Sequence, residues 1–214
     1  MKGTFITFEG IEGSGKSTQI ALLAEFVAAS GTPVTVTREP GGTRIGDKIR
    51  GILLDPEHGA LDPTAELLLY GASRAQHLKE IILPALRAGR LVLCDRFSDA
   101  TLAYQGYGRG LDRETIRVLD GIVTAGLRPD RTILLDLDAG KGLARAKGRN
   151  ALSGLEAEAR FENEETAFHE RVRQGYLALA QEEPRRFRLV NASLAPEQVQ
   201  EAVRAAVADA LSSG

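Results

Sequence analysis

The chain has 214 residues, with 27 basic against 29 acidic side chains and a net charge of −2. No global field therefore favours nucleic acid or an anionic membrane surface. The single cysteine excludes an internal disulfide, the three histidines lack metal-ligand spacing, and no apolar run approaches membrane-spanning length. The length suits one domain with a sizeable core, and a cytoplasmic location is expected.

The run Thr4-Phe5-Ile6-Thr7-Phe8 reads as a buried strand, with no signal peptide expected ahead of it. Gly10-Ile11-Glu12-Gly13-Ser14-Gly15-Lys16-Ser17 follows directly, a phosphate-binding loop of the form G-x-x-x-x-G-K-S. Ile20, Leu23, Phe26 and Val27 then recur at helical spacing until Gly31 stops the helix. Strand, glycine loop and helix thus come in the order the motif requires. Its glycines let backbone N–H groups curl around phosphate oxygens at the positive end of the helix. Lys16 can reach the terminal phosphates, and the Ser17 hydroxyl can ligate Mg²⁺. With Thr18, this stretch is the candidate ATP-binding segment.

Val34-Thr35-Val36 is a second strand, and Arg38-Glu39-Pro40-Gly41-Gly42-Thr43 follows it. That loop has turn chemistry, yet its charged pair stands at a strand end facing the phosphate loop, where a substrate would sit. Asp62-Pro63 opens a helix through Leu67 and Leu68. Arg90-Leu91-Val92-Leu93-Cys94-Asp95 is a third strand, apolar enough to be covered on both faces, and Cys94 reads as core. Asp95 at its end can hold water on a nucleotide-bound Mg²⁺, and Arg96 can clamp an anionic acceptor. The competing account is a surface ion pair.

Asp112 begins a helix through Ile116, Leu119, Ile122 and Val123 to Gly126. Thr132-Ile133-Leu134-Leu135-Asp136 and Arg188-Leu189-Val190 are further strands. Phe168, Val172, Tyr176 and Leu179 mark one helix between them, and Val199, Val203, Val207 and Leu211 a final one. Residues 140–154, rich in glycine, lysine and arginine, show no clear strand and are expected as a loop. Strands alternating with helices predict an α/β fold of P-loop NTPase type, a five-stranded parallel sheet flanked by helices, with ligands at the carboxyl ends of the strands.

The chain resembles the bacterial thymidylate kinases, P-loop nucleoside monophosphate kinases, nearly from end to end. The resemblance rests on Phe8-Glu9-Gly10 through Gln19, on Arg38 through Thr43 and on Ala72-Ser73-Arg74-Ala75-Gln76-His77. It is strongest in Asp95-Arg96-Phe97-Ser98-Asp99-Ala100-Thr101-Leu102-Ala103-Tyr104-Gln105, close to a signature of the family. It implies phosphorylation of dTMP to dTDP with Mg²⁺-ATP, a single kinase domain over residues 1–214, and a homodimer with no nucleic-acid or membrane partner. Arg96 and Arg50 would hold the dTMP phosphate, and Glu12 would face the sugar 3′-hydroxyl. Tyr70, where most relatives have Phe, would stack on thymine, and Arg74 would bond a base carbonyl. Thr101 would read the other edge of the base, Tyr104 would lie against the deoxyribose, and Arg38, Pro40 and Gln105 would complete the dTMP site.

Residues of about 140–160 match the family's mobile lid. Because Lys16 is the only cation in this phosphate loop, the lid would supply another from Arg145, Lys147 or Arg149. Arg145 and Arg149 would bind ATP, and Lys16, Arg96 and Arg149 would be catalytic, with Ser17 and Asp95 toward the metal. Ala159 stands where relatives carry Asp before Arg160-Phe161-Glu162, which leaves the lid arginine and any role of Glu162 open. Two rivals remain: a kinase for another nucleoside monophosphate or a deoxynucleoside, and a P-loop ATPase switch. The adenylate-kinase run D-G-[FY]-P-R and the guanine motif N-K-x-D are both absent.

Overall fold

The apolar runs become strands of one parallel sheet in a computed structural model that describes residues 3–59, 61–153 and 160–212. They are β1 (Phe5–Glu9), β2 (Val34–Arg38), β3 (Leu91–Asp95), β4 (Arg131–Asp136) and β5 (Phe187–Asn191). Their order is β2-β3-β1-β4-β5, with Phe8 beside Asp95 on one side and Ile133 on the other. Every residue of β1 is buried, as a central strand covered on both faces requires. Because β1 is followed in space by β3 on one side and β4 on the other, the chain reverses direction across the sheet there. The crevice at that switch point is where open α/β sheets bind ligands.

Helix α1 (Lys16–Ala29) buries Ile20, Leu23 and Val27. Phe26, expected on the same face, is instead 47% exposed, with the Arg204 guanidinium 4.1 Å from its ring centroid. α2 (Arg44–Leu54) was not predicted. It starts where Thr43 caps it by accepting from Gly46 N, immediately after a Pro-Gly-Gly turn that reads as the end of structure. α3 (Pro63–His77) begins as predicted, with Asp62 Oδ1 accepting from Thr64 N and Ala65 N. It runs on through a π-helical turn, Leu78–Ile82, into α4 (Leu83–Arg87).

After β3, α5 (Ser98–Thr101) widens into a π-helical stretch, Leu102–Gly108. α6 (Arg113–Thr124), α8 (Thr166–Glu182) and α9 (Pro196–Ser212) fall where the apolar spacing put them. The basic segment differs from its expectation. Residues 140–153 belong to α7 (Ala139–Ser153), begun by Asp138, whose Oδ1 accepts from Lys141 N. Leu143 and Ala146, three apart, supply the buried stripe that makes it a helix. Residues 154–159 of the expected lid, and residues 1–2 before β1, lie outside the described residues. No helix among those described is long and apolar enough to cross a membrane.

Candidate active site

Gly10, Gly13 and Gly15 adopt φ of 136°, 70° and 90°, backbone that only glycine takes readily, and the loop wraps over the start of α1. Lys16, 8% exposed, donates from Nζ to Gly10 O at 3.0 Å and to Ile11 O at 2.9 Å. Its charge is thereby carried across the mouth of the loop. Burial, with Arg96 nearby, lowers the Lys16 pKa to about 8. Ser17 Oγ donates to Asp95 Oδ2 at 2.9 Å, so the helix start and the end of β3 place two hard oxygens side by side. Among the described residues no group of three His, Cys, Asp or Glu side chains could cage a metal. Two adjacent oxygens beside a phosphate loop fit a Mg²⁺ that takes its other ligands from phosphates and water.

Arg96 has φ of 69°, unusual for a side chain with a Cβ. Its neighbours over-determine that conformation: Arg96 N donates to Phe8 O at 3.0 Å and Phe97 N to the buried carboxyl of Glu9 at 2.7 Å. The turn swings the guanidinium back over β1, where Nη2 donates to Glu12 Oε1 at 2.8 Å and Nη1 to Gly10 O and Tyr176 OH, each at 3.1 Å. Tyr104 OH donates to the same Glu12 oxygen at 2.6 Å, and Arg96 lies 4.8 Å over the Tyr104 ring. Burial alone would raise the Glu12 pKa, but Arg96, His169 and Lys16 outweigh it and hold this carboxylate well below its usual range. His169 Nδ1 stands 3.2 Å from Glu12 Oε2, and Nε2 donates to Phe161 O at 2.9 Å.

A cavity of about 710 Å³ opens over this cluster. The phosphate loop and the ends of β2 and β3 form its floor, including Gly13 and Gly15 from the loop, Thr18 from the first turn of α1, Arg38 at the end of β2 and Pro40 from the turn after it. Arg50 lies in the same wall, donating to Pro40 O at 3.0 Å. Tyr70, Thr101 and Gln105 face it from α3 and the helix after β3, and Arg145 and Arg149 from α7, four residues apart on one face. Arg145 Nη1 also donates to Ala192 O at 3.0 Å, and Arg149 Nη2 lies 3.5 Å from Glu162 Oε1.

Some expected contacts sit differently. Gly10, Ile11, Ser14 and Lys147 are not among the residues that line the cavity. Arg74, expected at a base carbonyl, is 3% exposed behind the wall. Its Nε donates to Glu39 at 2.7 Å, Nη1 to Asp120 at 3.1 Å, and Nη2 to Phe97 O at 3.0 Å and Thr101 Oγ1 at 2.9 Å. Only one of its five N–H groups is left for a base.

Sequence reasoning missed Glu9, Tyr176 and His169. Tyr176 stood in an apolar stripe, and its polar tip, a poor fit to pure core, was the available signal. The geometry so far is a phosphate loop facing an arginine–carboxylate–tyrosine cluster across one cavity. The thymidylate kinase family model matches residues 8–203, nearly the whole chain. The chain belongs to the thymidylate kinase family. A thymidylate kinase of Trichlorobacter lovleyi is 57% identical over 203 residues, covering 95% of this chain and 96% of that one. One from Geotalea uraniireducens is 54% identical over 213 residues, covering 99% and 100%. The crystal structure of an Ehrlichia chaffeensis thymidylate kinase superposes with a TM-score of 0.75 at 35% identity, covering 95% of this chain and 97% of that one. As a thymidylate kinase, the chain phosphorylates dTMP to dTDP in the family's ATP-dependent reaction.

Proposed function

We propose that the phosphoryl group passes across the gap between Lys16 and Arg96, with ATP on the phosphate loop and dTMP against β2, α3 and the helix after β3. The carrying observation is the Glu12 carboxylate, bound at once by Arg96 at 2.8 Å and Tyr104 at 2.6 Å. It anchors the acceptor side of the cavity to the phosphate loop itself, so donor and acceptor sites share one rigid element. Three of the five Arg96 N–H groups are committed to Gly10, Tyr176 and Glu12, leaving a donor pair for an acceptor phosphate.

The acceptor is already an anion, so no strong general base is required. Lys16 and Arg96 neutralise charge that builds on the phosphoryl oxygens, and Arg50 and Arg38 hold the acceptor phosphate. Ser17 and Asp95 would hold Mg²⁺, which when bound supplies charge neutralisation on the donor phosphates. Tyr70 stacks on the base, Thr101 and Gln105 meet its polar edge, and Arg74 acts by fixing Thr101. Tyr104 crowds the sugar on the side where a ribonucleotide carries its extra hydroxyl.

The chain is read as one kinase domain whose lid is α7 and the residues after it, to about residue 160. Arg145 and Arg149 are the lid's cations toward ATP. Leu68, Val118 and Ile122 are 55%, 58% and 74% exposed on neighbouring helices α3 and α6, an apolar face suited to a homodimer. A cytoplasmic location is the reading that suits a kinase acting on ATP and dTMP, and no described helix is long and apolar enough to cross a membrane. Turnover of Arg145→Ala and Arg149→Ala tests the lid. Arg149→Ala is expected to lower kcat by at least a hundredfold with less than a fivefold change in dTMP affinity; near wild-type kcat in both variants would remove α7 from the chemistry.

A further inference from the structure

Glu66 is fully buried in the first turn of α3, one helical turn before Tyr70. A carboxylate at that depth must be matched by donors. Gln105 Nε2 donates to its Oε1 at 2.7 Å. Arg109 reaches both oxygens at 3.3 Å, and Arg160 Nη2 donates to Oε2. Arg160 is also tied to α2, its N donating to Leu54 O at 3.2 Å, and it begins the stretch whose Phe161 and Glu162 line the cavity.

One consequence is chemical polarity. A carboxylate only accepts hydrogen bonds, so the carboxamide of Gln105 is held with its nitrogen toward Glu66 and its carbonyl turned away. Gln105 lines the cavity, and what it offers a base there is an acceptor. Thymine and uracil carry a donor at N3; cytosine carries an acceptor there and would meet this carbonyl with lone pair against lone pair. The amide alone could rotate to suit either base, whereas a buried carboxylate behind it removes that choice.

We infer that Glu66 is a positioning residue for base selection, locking the Gln105 amide in the sense that accepts a base N3–H and rejects cytosine. The inference rests on Gln105 reading the base, and the test separates the two. Specificity constants for dTMP, dUMP and dCMP would be measured by ADP release for wild type, Gln105→Ala, Glu66→Asp and the double variant, each checked by thermal melting. Glu66→Asp keeps the charge but withdraws the carboxylate by one methylene.

The expected result is a dTMP-to-dCMP ratio at least tenfold lower in Glu66→Asp, with dUMP falling in step with dTMP and the KM for ATP within twofold. Gln105→Ala should lower the same ratio, and the double variant should lower it no further. A folded Glu66→Asp with its ratio within twofold of wild type overturns the inference while Gln105→Ala still shifts it. An unchanged ratio in Gln105→Ala overturns the base-reading role, and the inference with it. Should Glu66→Asp fail to fold, exchange of the Gln105 side-chain amide in the wild type decides. A protected Nε2 proton supports the lock, and solvent-rate exchange of both protons overturns it.

Discussion

Glu9 and Glu12 are three residues apart and titrate in opposite directions. Burial first, then the nearby charge of Asp99, pushes the Glu9 pKa up to about 8 despite Arg96, Tyr176 and Phe97. Glu12 meets Arg96 directly and stays an anion. One carboxyl therefore serves as a neutral pin for the β3 turn while the other carries charge at the site. Glu9 holds its proton in the folded state but loses it above the ordinary carboxylate pKa when unfolded. Its contribution to stability is thus full below about pH 4.5 and fades as pH climbs toward 8. Glu9→Gln, which cannot ionise, should flatten this part of the melting-temperature profile between pH 5 and 8. Parallel profiles for the two proteins would show that Glu9 does not titrate in that window.

At the scale of elements, the phosphate loop and α7 touch through two glycines. A Cβ on Gly13 would lie 2.1 Å from Gly142 O, and one on Gly142 would lie 2.6 Å from Glu12 O. Both obstacles are backbone, so neither can swing aside. Gly142→Ala should push α7 off the loop, costing about 1–3 kcal/mol of stability and raising the KM for ATP severalfold. Unchanged melting and an unchanged KM would mean that α7 shifts freely and is not seated on the loop.

This contact also marks where the sequence stops being readable. The strands were legible because β-branched and apolar residues dominate each of them, most continuously in β3 and β4, and α3 and α6 because Asp62 and Asp112 announce them. Gly142 looks like loop because its purpose, letting α7 meet the phosphate-loop backbone at Glu12, is set by a partner far away in the chain. α2 was hidden for a related reason, since Thr43 caps it straight out of a turn. In the site, Lys16, Ser17, Asp95 and Arg96 were legible from motif chemistry. Arg74 was legible as important, but its place behind Thr101 depends on Glu39 and Asp120, which only the fold brings together.

For the whole molecule, the sheet order brings the phosphate loop and the β3 turn to one edge, and the helices complete the cavity proposed to hold donor and acceptor together. The exposed stripe of Leu68, Val118 and Ile122 lies on the α3–α6 side. Ile122→Lys should convert a dimer to a monomer in sedimentation, and a wild-type chain that sediments as a monomer would remove the dimer from the account. The central claim is that this cavity couples ATP to thymidylate in particular. Its most direct test is ADP release with ATP and a panel of dTMP, dUMP, dCMP, dAMP and dGMP at equal concentrations, for wild type and Lys16→Ala. The predicted result is a specificity constant highest for dTMP, at least tenfold above dCMP and the purines, and lost in Lys16→Ala. Equal or higher turnover of another monophosphate outside the thymine–uracil class, or ADP release that needs no acceptor, would contradict it.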